Sequence, residues 1–160
     1  MYIKSFDIHW AHLDANRHVA NSTYSDFLSE TRMSCLREGG FTQKEFIRHQ
    51  VGPVIFSEEF YYIKEVYHGE KVYVGLELLA HSPNFKYMKF AHTLFNSKKK
   101  LSLYSETFFG WFDLRERKLG IPPKLIIDIF SQLSKADNFH LLSDEMDLKN
   151  PKIPINKRIP

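Results

Sequence analysis

The 160-residue chain carries 22 Lys and Arg against 19 Asp and Glu, a formal net charge of +3, with 43% hydrophobic and 15% aromatic residues. That balance is too apolar for a disordered chain and too weakly basic for a nucleic-acid-binding surface, and its length fits one domain. No apolar run is long enough to span a bilayer, the start Met1-Tyr2-Ile3-Lys4-Ser5-Phe6 lacks a signal peptide's apolar segment, and the lone Cys35 excludes an internal disulfide or a multi-cysteine metal site, so a cytoplasmic protein is expected.

Residues 2–10 alternate in part, with Tyr2, Phe6, Ile8 and Trp10 on one parity, and predict a first strand. In the next stretch Asp14, Asn16, His18, Asn21 and Tyr24 all carry groups able to bond a ligand. From there Tyr24, Phe27, Leu28, Thr31 and Cys35 recur at the three- and four-residue spacing of one helix face, and Gly39-Gly40 supplies a stop. Asn21 or Ser22 is expected to cap this helix. The polar cluster then lies at a helix N-terminus, where free amides and the positive end of the dipole suit developing negative charge.

Thr42 and Glu45 predict a capping box opening a short helix within 41–52. Val54 to Ile63 and the alternating Lys71 to His81 predict strands, with Gly69 marking a turn between them. Phe85 to Asn96 and Leu101 to Phe112 predict two more, joined across Ser97-Lys98-Lys99-Lys100 as a hairpin. Consecutive strands with short links imply an antiparallel sheet and an α+β class, with the long helix buried on one face. Pro122-Pro123 opens an amphipathic helix over Lys124 to Leu133, and the polar, proline-bearing remainder predicts an extended tail. The expected organisation is a domain over 1–136 and a tail over 137–160.

The run Asp14-Ala15-Asn16-Arg17-His18-Val19-Ala20-Asn21-Ser22-Thr23-Tyr24 resembles the D-x-x-x-H-V-N-N-x-x-Y signature of hot-dog-fold acyl thioesterases, both 4-hydroxybenzoyl-CoA-thioesterase-like and acyl-carrier-protein types. Glu30 and Arg32 continue it, and Tyr62 to Glu70 resembles the family's Y-x-x-P-x-x-x-G-D segment. Three positions depart from the pattern. Ala20 stands for the first Asn of the pair, Arg17 for a frequent Gly, and Glu65 for the proline.

The resemblance implies a hot-dog fold, with an antiparallel sheet of five to six strands wrapped around a long central helix. It implies hydrolysis of an acyl-CoA or acyl-carrier-protein thioester without metal or organic cofactor, by Asp14 as general base or nucleophile. His18 and Asn21 would orient the loop and the carbonyl, while helix-start amides polarise the thioester oxygen. Asn16, Tyr24, Phe27 and Glu59 are the substrate-binding candidates. Exposed sheet edges predict a homodimer, or a homotetramer, with sites at the subunit boundary. Two rival readings remain: a non-catalytic thioester-binding protein, and an enoyl-thioester hydratase, whose D-x-N-P-x-H motif fits less well because Arg17 takes the proline's place.

Overall fold

The computed structural model describes residues 1–143. Its centre is α1 (Asn21–Glu38), 18 residues long, whose buried side chains include Tyr24, Phe27, Leu28, Thr31 and Cys35. The helix ends as its glycines require. Gly40 has φ 94°, and the Phe41 amide donates back to the Leu36 carbonyl at 2.8 Å, a Schellman closure that seats buried Phe41 against the helix end.

Five main strands, β1 (Tyr2–Asp7), β2 (Val51–Tyr62), β3 (Lys71–His81), β4 (Tyr87–Phe95) and β5 (Leu101–Asp113), lie in the order β1-β3-β4-β5-β2, every neighbour antiparallel. This is the α+β hot-dog arrangement expected from the resemblance. Short β6 (Lys118–Leu119) joins β5, and α2 (Gln43–His49) and α3 (Lys124–Ser131) complete the helices. Pro53 is accommodated because β2 is an edge strand, where a missing amide breaks no internal ladder.

Two apolar clusters flank α1. One gathers Val19, Tyr24, Phe27 and Leu28 against Val66, Val72, Leu94 and Leu103; the other gathers Leu36 and Phe41 against Phe90, Trp111 and Phe130. Each fully buried side chain of this kind contributes about 1.5–3 kcal/mol. A buried polar group lies near the middle of the helix. Arg32 Nη1 meets Glu58 Oε1 at 3.2 Å and donates to Thr107 Oγ1 at 3.0 Å, and His92 Nε2 lies 3.5 Å away. Burial and the Arg32 charge hold His92 well below its ordinary pKa, so the ring is neutral.

Four expectations are corrected. The first strand stops at Asp7, and Trp10 enters a single 3₁₀ turn (Trp10–His12), where it is 76% exposed. The cap of α1 is Ala20, with no side-chain cap bond, so Asn21 and Ser22 lie inside the first turn. Thr42 caps α2 without a side-chain bond, so the capping box does not form. Finally, the expected tail begins inside a strand: β7 (Lys135–Leu141) pairs parallel with β3. Its polar residues disguise it, because backbone bonds hold it while Phe139 supplies the apolar contact. Residues 144–160 of that expected tail lie outside the described residues.

Candidate active site

The loop between the 3₁₀ turn and α1 is folded by Asp14. Its Oδ1 accepts the amides of Asn16 at 2.8 Å and His18 at 3.3 Å, the Asp14 amide donates to the His18 carbonyl at 2.9 Å, and the Arg17 amide to the Asp14 carbonyl at 3.0 Å. An aspartate opening such a turn replaces backbone partners with its own carboxylate. Arg17 takes φ 67°, which explains why the resembling family often has Gly there. The loop is then anchored. The Val19 amide donates to the Val66 carbonyl at 2.9 Å, the Ala20 amide to the His12 carbonyl at 2.9 Å, and Thr23 Oγ1 to the same His12 oxygen at 3.2 Å.

A cleft of about 300 Å³ opens beside this loop, lined by Asp14, His18, Asn21 and Tyr24 on one side and by Tyr62, Lys64 and Glu65 on the other. Asp14 Oδ1 is occupied by loop amides, leaving Oδ2 for a water or substrate. Because Ala20 caps α1 without a side-chain bond, no capping side chain competes for the Asn21 and Ser22 amides, while the Thr23 amide donates to the Ala20 carbonyl at 3.0 Å. His18 stands edge-on to Tyr67, ring centroids 5.0 Å apart, with Nδ1 3.6 Å from Glu65 Oε1. Burial, then the neighbouring Tyr62, Glu70, Asp14 and Glu65, push the Tyr24 hydroxyl up to about 12, so it stays a protonated donor at neutral pH.

Of the seven residues singled out in the sequence, Asp14, His18, Asn21 and Tyr24 line the cleft. Asn16 is exposed in the turn, contributing its amide to Asp14. Phe27 turns into the core, stacked on Phe6 at 4.5 Å and edge-on to His12 at 5.2 Å. Glu59 lies exposed beside Glu106 in register and accepts from Tyr61; its neighbour Glu58 is the carboxylate that turns inward to Arg32. A strand alternates faces residue by residue, so one position separates an inner from an outer carboxylate.

Sequence reasoning missed Tyr62, Lys64 and Glu65 as cleft residues. The signal was the motif-like segment from Tyr62 to Glu70, within which Glu65 stands where the family's proline would and reaches back to His18. Glu70 serves structure instead, accepting the Tyr67 amide at 2.9 Å and the Ser97 hydroxyl at 2.7 Å. Among the described residues no group of three His, Cys, Asp or Glu side chains comes together as a metal-ligand set.

A carboxylate loop leading into the buried helix of a curled antiparallel sheet defines a hot-dog thioesterase-like protein. The profile of the thioesterase-like superfamily matches residues 8–141, and the chain belongs to that family. No curated protein sequence matches it. Among solved structures, the Synechocystis 1,4-dihydroxy-2-naphthoyl-CoA thioesterase Slr0204 is 13% identical, with TM-score 0.73 over 82% of this chain and 96% of that one. A Staphylococcus aureus hypothetical protein, SAV2348, solved with CoA is 16% identical, with TM-score 0.75 over 99% of this chain and 95% of its own. A hypothetical protein from Aquifex aeolicus is 19% identical, with TM-score 0.74 over 81% and 99%. At such identities the likeness shows the fold.

Proposed function

We propose that this protein hydrolyses an acyl thioester, releasing a carboxylic acid and the thiol of CoA or an acyl carrier protein, at the Asp14 cleft. The observation that carries this reading is the meeting, in one cleft, of the Asp14 carboxylate with the start of α1, where no capping side chain covers the first amides. Asp14 Oδ2 takes a proton from water as the water oxygen attacks the thioester carbon, the oxyanion is held by first-turn amides, and collapse expels the thiolate. Direct attack by Asp14, giving an anhydride that water opens, uses the same groups. Single turnover in ¹⁸O-water tests the nucleophile route: label in Asp14 requires an anhydride opened by water at the Asp14 carbonyl carbon. Opening at the acyl carbon puts the label in the product acid, as the general-base route does, and trapping of an acyl-enzyme with hydroxylamine then tells the two apart. His18, oriented by Glu65 and Tyr67, sets the loop, and Asn21 and Tyr24 hold the substrate.

The active unit in this reading is a dimer paired through β2. That strand is 12 residues long and ends the sheet, yet Val54, Ile55, Tyr61 and Tyr62 on it are 37%, 46%, 53% and 56% exposed. A long apolar edge of this kind calls for a partner. Antiparallel pairing of two β2 strands about their middle brings the Tyr62–Glu65 cleft wall of one copy to the Pro53 end of the other. Sedimentation showing only monomer at micromolar concentration would remove the dimer.

A non-catalytic thioester-binding role has one observation in its favour, the engagement of Asp14 Oδ1 in building its own loop. Thiol release measured over a panel of acyl-CoA and acyl-carrier-protein thioesters decides between the two. Binding without turnover of any thioester would establish the binding role.

A further inference from the structure

A second cavity, about 170 Å³, lies between the C-terminal half of α1 and the sheet. Its inner wall is four aromatic rings in mutual contact. Phe90 lies 5.0 Å from Phe109 and 4.9 Å from Phe130, and Trp111 lies 5.7 Å from Phe109 and 6.3 Å from Phe130. All four are buried, so the wall is rigid. Pro53 and the half-exposed Ile55 of edge strand β2 line the cavity at the surface, together with the partly buried Met33. Ser29 and Arg32 are its polar members, joined by an Arg32 Nη2 bond to Ser29 Oγ of 2.9 Å. Glu58 neutralises Arg32, and the buried Trp111 Nε1 has no hydrogen-bond partner among the described residues.

We propose that this cavity selects the acyl group of the substrate and is sized for a single aromatic ring, as in benzoyl or phenylacetyl. That the ring arrives as a thioester rests on the hydrolase reading above. An apolar protein cavity of about 150 Å³ stays dry and takes one benzene ring. A wall of ring faces and edges adds offset and edge-on contacts that an alkyl chain does not return. The neutral polar end suits an uncharged acceptor such as a thioester carbonyl better than a free carboxylate, because Arg32 already holds its counter-charge. The location fits as well: β2 carries the mouth near Pro53 and Ile55, and the cleft follows its other end, at Tyr62 to Glu65. Pairing of two β2 edges therefore sets the cavity of one copy beside the reacting groups of the next.

Trp111 reports on the cavity directly, since the chain has two tryptophans and the other, Trp10, is 76% exposed. In full-length Trp10→Phe protein, phenylacetamide should change Trp111 emission saturably and octanamide should not. Met33→Phe places a ring in the space and should abolish the response. In turnover, kcat/KM for phenylacetyl-CoA should exceed that for octanoyl-CoA by about tenfold or more, and Phe130→Leu, which keeps the core filled but removes one ring of the wall, should narrow that ratio. A Trp111 that ignores phenylacetamide, or responds equally in Met33→Phe, overturns the assignment even if thioesters are hydrolysed. A saturable response blocked by Met33→Phe, with no thioester turned over, upholds the cavity and refutes the hydrolase reading instead.

Discussion

Asp14 folds its loop in this structure and, under the proposed hydrolase reading, also acts on the thioester, and paired substitutions separate the two roles. The first is to fold the loop, through Oδ1 and the amides of Asn16 and His18 at 2.8 and 3.3 Å. Asparagine keeps a carbonyl oxygen at that place, so Asp14→Asn should cost well under about 1 kcal/mol. Alanine removes both bonds. At about 1 kcal/mol each in this exposed loop, Asp14→Ala should lose about 1–2 kcal/mol, a fall in Tm of about 3–8 °C for a domain of this size. The second role, in the proposed reading, is chemical, and neither substitute can take a proton or attack a carbonyl. A positioned base is worth about 100- to 10,000-fold, so both variants should lose at least about 100-fold in kcat. Thiol release followed with a chromogenic disulfide, alongside thermal melts, gives both quantities. An Asp14→Asn enzyme near wild-type kcat beside a crippled Asp14→Ala enzyme would show that Asp14 only shapes the loop.

Glu58→Ala leaves Arg32 buried without its ion partner and should cost about 3–5 kcal/mol in urea unfolding, against less than about 0.5 kcal/mol for exposed Glu59→Ala; equal costs would refute the assignment of inner and outer faces. Arg17→Gly relieves a residue held at φ 67° and should leave stability unchanged or raise it by up to about 1 kcal/mol, so a clear loss in Tm would mean that the Arg17 side chain is itself needed. A chain ending at Ser134 lacks β7 and exposes the edge of β3, so it should melt well below one ending at Ser143; coincident melts would show that β7 adds nothing. Burial would raise the Glu70 carboxyl, but the Ser97 hydroxyl and the Tyr67 and Ser97 amides outweigh it and hold it below the ordinary 4.5. Its contribution is therefore full above that value and is lost as pH falls through the lower folded value. Glu70→Gln should flatten that part of the acid unfolding curve, and an unchanged curve would contradict the sign.

Local pattern alone determined much of this protein. The three- and four-residue apolar spacing from Tyr24 to Cys35 and the Gly39-Gly40 stop place α1, the alternation through Lys71 to His81 places β3, and the run from Asp14 to Tyr24 marks the loop that turns into the cleft. These features depend on neighbours within a few residues, and such neighbours are visible in a sequence. Contacts that span the chain were decided only by the tertiary structure. Which of Glu58 and Glu59 turns inward depends on β2's pairing with β5 and on the irregularity between Ile55 and Ser57. Phe27, on the same helical stripe as Tyr24, is drawn to Phe6 and His12 and away from the cleft. Strand β7 has no apolar alternation of its own, because its place comes from backbone bonds to a strand more than fifty residues earlier. The cleft's far wall and the aromatic cavity likewise join segments that only the closed sheet brings together, since burial rewards side chains for meeting regardless of their distance along the chain.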